Sequence, residues 1–157
     1  MPLKIFIHGL ESGNQGTKAV FFREKYPDML TPNFTGDLPE RMEKLTKILS
    51  GESGIRMVGS SFGGLMASIF SMENESRVDR LILLAPAINL IGFTEYQTKE
   101  IEIPVHIYHG INDDVIPLKA VEKIAGKCFK NLTFHKVEDN HMLHNTFHTI
   151  DWDSLLE

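Results

Sequence analysis

The 157-residue chain is 42% hydrophobic and 24% charged, with a formal net charge of -5, the balance of a compact globular domain rather than a disordered segment. Its charges are scattered, so no basic stripe can neutralise phosphates and no nucleic-acid partner is expected. Cys128 is the only cysteine, the N-terminus lacks a basic region followed by a long apolar run, and no segment approaches the ~20 apolar residues that span a bilayer, so a single cytoplasmic domain over 1–157, without disulfides or a membrane partner, is expected.

The first apolar run, Leu3 to Ile7, reads as a buried strand that ends at His8-Gly9. A helix is expected from Thr17 to Tyr26, with Thr17 as cap and Pro27 as stop, and then a short strand from Met29 to Thr31. Asp37 can cap a helix starting near Pro39, with Met42, Leu45, Ile48 and Leu49 on the buried face and Arg41, Glu43 and Lys47 toward water; Gly51 and Gly54 close it. Ile55 to Val58 is a second buried strand. The helix Phe62 to Met72 follows, and its small Gly63, Gly64, Ala67 and Ser68 allow close packing. Strands are expected at Arg80 to Ala85, Val105 to His109 and Leu132 to Val137. Pro117 starts a helix that spaces Leu118, Val121, Ile124 and Cys128 on one face, which makes Cys128 a core thiol, and a terminal helix covers Ile150 to Leu156.

Strands alternating with helices imply right-handed crossovers and a three-layer α/β/α sandwich around a mainly parallel sheet of about six strands. In such sheets ligands bind at the carboxyl ends of the strands, so chemistry is sought in the loops that follow them.

Gly59-Ser60-Ser61-Phe62-Gly63 fits the pattern G-x-S-x-G between a strand and a helix, where flanking glycines permit a tight turn that presents the central serine. Ser61 is the candidate nucleophile, an ordinary glycine-rich turn being the bland alternative. After the first strand, the backbone amide of Leu10 is a candidate to stabilise a developing oxyanion together with that of Phe62, although His8-Gly9 also reads as a plain turn. A phosphate-cradling loop over Gly9 to Lys18 is disfavoured because G-x-x-x-x-G-K-[ST] is absent. Asp113, in His109-Gly110-Ile111-Asn112-Asp113-Asp114, can orient a histidine, while Asp114, or both acids, can instead cap the following helix. His141 lies nearest the end of the last strand and is the candidate base; His141, His144 and His148 otherwise read as surface residues or as a metal site on one helical face. No Cys or HExxH pattern supports the metal, so neither metal nor cofactor is expected. Ser61, Asp113 and His141 follow the chain order of one fold's triad.

At these residues the sequence resembles the α/β-hydrolase superfamily, and His8-Gly9-Leu10-Glu11-Ser12 with Lys18-Ala19 resembles compact bacterial YqiA-like esterases. The resemblance implies a minimal α/β-hydrolase fold without a cap domain, a triad of Ser61, Asp113 and His141, oxyanion donors at Leu10 and Phe62, and substrate contacts at Glu11 and Ser12. It implies a serine hydrolase that cleaves carboxylic ester or thioester bonds of small acyl substrates through an acyl-enzyme, and the rival reading is a catalytically silent hydrolase-like binding protein. An ordinary imidazole titrates near ~6.5, so activity is expected to fall below about pH 6. The short stretch between the strands at Leu84 and Val105 leaves room for a flap at Ile88 to Tyr96 but for no lid, and an open pocket with weak acyl-chain selection is expected.

Overall fold

In the computed structural model, which describes residues 2–157, β1 (Leu3–Ile7), β2 (Ile55–Ser60), β3 (Val78–Leu84), β4 (Ile101–Gly110) and β5 (Phe129–Val137) lie side by side in chain order. Every neighbouring pair is parallel. Parallel neighbours cannot be joined by a hairpin, so each connection crosses a face of the sheet. The helices are α1 (Thr17–Lys25), α2 (Leu38–Ile48), α3 (Phe62–Glu73), α4 (Leu118–Cys128) and the terminal α5 (Trp152–Leu156). Together they make the expected three-layer sandwich.

The strand expected at 29–31 is a single parallel bridge between Leu30 and Ile5. Phe6 N–H donates to the Leu30 carbonyl and Leu30 N–H to the Lys4 carbonyl, both at 2.9 Å. Pro27 and Pro32 flank this pair, and neither can donate to a ladder, so pairing stops there.

That bridge decides where the site falls. The chain leaves β1 outward through α1 to Leu30, then returns past β1 through α2 to β2, and right-handed crossovers put these two connections on opposite faces. Side-chain alternation matches: Ile5 and Ile7 pack with Leu45 of α2 and Leu65 of α3, whereas Phe6 packs with Ala19 and Phe22 of α1 and Trp152 of α5. On the second face Phe22 meets Trp152 edge-on with ring centroids 4.8 Å apart, and truncating a ring so placed costs about 3–5 kcal/mol. The connections that follow β1 and β2 therefore diverge. A crevice opens between their carboxyl ends, where sheets of this kind bind ligands.

Asp37 caps α2 as its sequence predicts: its carboxylate accepts from Glu40 N–H at 3.0 Å, and Glu40 returns a bond to Asp37 N–H at 3.3 Å. Arg41, expected to face water, is buried instead. Its Nε donates to the Gly36 carbonyl at 2.8 Å and its guanidinium lies 5.5 Å from the Phe62 ring centre, so a carbonyl and an aromatic face replace water. The expected Thr17 cap is also absent, because Gly16 takes the capping position and Thr17 is the first helical residue. Among the described residues no helix is long and apolar enough to cross a membrane.

Candidate active site

β2 ends at Ser60 and α3 starts at Phe62, so Ser61 alone turns the chain. It does so at φ 56° and ψ -115°, a conformation that costs a residue with a side chain about 1–3 kcal/mol. Four backbone hydrogen bonds hold it: Ser61 N–H donates to the Leu84 carbonyl at 2.9 Å, and the Ser61 carbonyl accepts from Gly64, Leu65 and Ala87 at 2.9, 3.2 and 2.9 Å. The flanking glycines are required by close approach. A Cβ on Gly63 would lie 2.0 Å from the Ile7 carbonyl oxygen, and one on Gly59 would lie 2.5 Å from that of Gly63.

The Ser61 hydroxyl donates to His141 Nε2 at 3.1 Å, and His141 Nδ1–H donates to Asp113 Oδ2 at 2.8 Å. Side chains from the loops after β2, β4 and β5 thus converge at the crevice. The Asp113 side chain is fully buried and its other oxygen, Oδ1, accepts from Val115 and Ile116 N–H at 2.9 and 2.8 Å. Neither Asp113 nor Asp114 caps α4, whose capping position is Pro117, and Asp114 is exposed beside the pocket.

The loop that carries His141 is itself anchored. Buried Asp139 accepts from Asn140 N–H at 2.8 Å through one oxygen, and from Asn145 and Thr146 N–H at 2.9 and 2.8 Å through the other. Burial pushes this carboxyl upward, but the bonds from Thr146, Asn140 and Asn145 together outweigh it and hold the group below the usual carboxylate range. Lys18 Nζ donates to the Met142 carbonyl at 2.8 Å, and burial lowers this ammonium from its ordinary value while the Asp139 charge partly restores it. His144 turns to Asn140 at 3.3 Å, and His148 packs edge-on against Phe21 at 5.4 Å. The segment forms turns and a short 3-10 stretch, Phe147–Thr149, so the three histidines do not share a helical face.

Among the described residues, neither the Leu10 nor the Phe62 amide donates to another group of the chain. Both residues line the pocket over Ser61. Gly9 brings the two segments together, since a Cβ there would lie 3.3 Å from Ser61 Cβ and 3.8 Å from Phe62 N. His8 fixes the base of this loop: Nδ1–H donates to the Gly9 carbonyl at 2.7 Å, while Nε2 accepts from Phe34 N–H at 2.9 Å. The pocket measures about 650 Å³, and Glu11 and Ser12 stand exposed at its mouth. The segment from Ile88 to Tyr96 is a packed wall rather than a flap: Ile88, Phe93 and Tyr96 are buried, Tyr96 donates to Glu73 at 2.8 Å, and Asn89 and Leu90 face the pocket.

The supporting roles of four residues escape a reading of the sequence: Arg41, His109, Lys18 and Asp139. Only spacing hints at two of them, since His109 stands four residues before Asp113 and Asp139 two before His141.

No family model matches this sequence, and no curated protein matches it either. Solved structures do. Alpha/beta hydrolase domain-containing protein 10 from mouse is similar with a TM-score of 0.78 and 18% identity over 95% of this chain and 86% of that one. Est1E from Butyrivibrio proteoclasticus, solved with ferulic acid, has a TM-score of 0.76 and 17% identity over 99% and 86%, and a monoacylglycerol lipase from Paleococcus ferrophilus has 0.71 and 13% over 98% and 93%. The chain has the α/β-hydrolase fold. These neighbours do not single out the YqiA-like esterases within it, and at such identities the likeness is one of architecture.

Proposed function

We propose that the protein is a serine hydrolase that cleaves carboxylic ester or thioester bonds of small acyl substrates. The observation that carries this reading is the unbroken chain of hydrogen bonds from Ser61 through His141 to Asp113, 3.1 and 2.8 Å long, opening into the pocket. His141 Nε2 takes the Ser61 proton as Oγ bonds to the acyl carbon, and the carbonyl electron pair moves onto oxygen. The free Leu10 and Phe62 amides receive that oxyanion. Collapse expels the alcohol or thiol, which leaves with the proton from His141. Water, deprotonated by the same nitrogen, then attacks the acyl-enzyme, and Ser61 recovers its proton as the acid departs. Asp113 keeps Nδ1 protonated and steadies the imidazolium.

Hydrolysis of p-nitrophenyl acetate and butyrate tests the proposal. The wild-type chain should turn them over, and Ser61→Ala should retain the fold but lose activity by about 10⁴–10⁶-fold. Absence of hydrolysis by the folded wild type would favour the binding-protein reading.

A further inference from the structure

Exposed apolar side chains are concentrated on one edge of this protein. Of the seven large apolar residues exposed among the described residues, Leu10, Leu90, Ile91, Ile111, Val115 and Met142 belong to the loops at the carboxyl edge of the sheet, and only Leu30 lies elsewhere. They come from four loops, those after β1, β3, β4 and β5. Isolated exposed apolar residues need no explanation, but a continuous patch at a site mouth does.

Leu10, Leu90, Val115 and Met142 line the pocket over Ser61. A small dissolved ester would be covered by such a lining. Ile91 and Ile111 lie outside it, next in the chain to the lining residues Leu90 and Asn112, and Ile91 is 91% exposed. Exposed apolar side chains therefore also stand outside the pocket lining on the same loops, where no substrate held within the pocket can cover them. A broad apolar phase covers the pocket lining and the outer residues at once.

Charge narrows the kind of phase. The same loops are acidic on balance: they carry exposed Glu11, Glu95, Glu100, Asp114 and Glu138 against one exposed base, Lys99, whose ammonium lies over the Tyr96 ring, while Lys18, just beyond the first of them, is turned inward onto the Met142 carbonyl. An anionic surface would be repelled, and an uncharged or zwitterionic one would not. We infer that the pocket mouth docks on the surface of an aggregated amphiphile without net charge, a micelle or bilayer, from which an ester passes directly to Ser61. The ester rests on the function proposed above; the docking does not. The expectation of no membrane partner rests on the lack of any segment near the ~20 apolar residues that span a bilayer, a criterion that does not register exposed apolar residues dispersed among four loops.

Flotation of the Ser61→Ala protein with phosphatidylcholine vesicles tests the docking without any turnover. The protein should float with these vesicles, gain nothing when phosphatidylglycerol is added, and lose affinity by about tenfold or more in the variant that also carries Ile91→Ser and Ile111→Ser. Both isoleucines are exposed, so an unchanged melting temperature would show that the variant is folded. No flotation, flotation only with anionic vesicles, equal flotation of the folded variant, or a dimer that buries Ile91 would each overturn the inference. Wild-type ester hydrolysis, measured separately, would fail only if the proposed function failed.

Discussion

His109 and Asp113 meet at the oxygen that also serves His141: His109 Nε2 lies 3.2 Å from Asp113 Oδ2, which accepts from His141 Nδ1–H at 2.8 Å. Both the His109 and Asp113 side chains are fully buried. His109 Nε2–H donates to the Ile116 carbonyl at 2.9 Å, and burial pulls its imidazole below the ordinary value despite that bond and the Asp113 charge. A neutral His109 thus packs against the carboxylate, and in the proposed reaction it would act through Asp113 as a positioning residue.

Replacement of His109 by Ala should lower stability by about 2–4 kcal/mol through the cavity and the lost donor. It should also lower kcat more than it raises KM. His109→Gln, which keeps an N–H, should recover part of kcat. Urea midpoints and ester kinetics check both; equal kcat in all three proteins would remove His109 from the account.

The backbone of Ser61 yields a second expectation. Its φ of 56° and ψ of -115° are tolerated by glycine without strain. Ser61→Gly and Ser61→Ala should both be inactive, yet the glycine variant should be more stable than the alanine variant by about 1 kcal/mol. Thermal melts of the two would decide, and an alanine variant of equal or greater stability would mean that the turn is relaxed.

The triad members should fail unequally. Ser61 and His141 share one step, so Ser61→Ala, His141→Ala and the double variant should show about the same loss of kcat/KM. Asp113→Asn leaves a misoriented base, and its loss should be smaller by about ten- to a hundredfold. Additive penalties for Ser61 and His141 would contradict a shared proton transfer.

Stability should decline on mild acidification because of His8. Burial lowers its imidazole, the bond to the Gly9 carbonyl opposes this, and the charges of Arg41 and Lys44 lower it further. Nε2 must stay unprotonated to accept from Phe34 N–H. Below about pH 6.5 the unfolded chain takes up a proton that the folded one refuses. The contribution is full above that pH and is lost as pH falls toward the folded-state value, by up to about 1.4 kcal/mol per pH unit for each such histidine. Buried His109, also shifted downward, adds to the slope. Urea unfolding at pH 7.5, 6.5 and 5.5 should show the decline, and His8→Gln should make it shallower.

Much of this arrangement is legible in the residues. The elbow at Ser61 is readable because two glycines, a branched strand and a helix each constrain the same five positions. Asp37 is readable because capping is local. Long-range packing hides the rest. Arg41 reads as a water-facing residue because nothing nearby announces the Phe62 ring, which arrives from the far side of β2. The strand expected near Leu30 has two backbone bonds between flanking prolines, too few for a ladder. β4 extends back through Pro104, a residue that argues against a strand, because β3 pairs only from Val105 onward and the register with β5 shifts between Ile101 and Pro104. His109 is visible as a motif letter, but its partners depend on the fold of the loop.

Covalent labelling tests the central claim most directly. Treated with a fluorophosphonate and followed by intact mass and peptide mapping, the folded protein should gain one adduct, on Ser61, that is absent from Ser61→Ala and slowed in His141→Ala. An unlabelled folded protein, or an adduct that persists without the Ser61 hydroxyl, would contradict it.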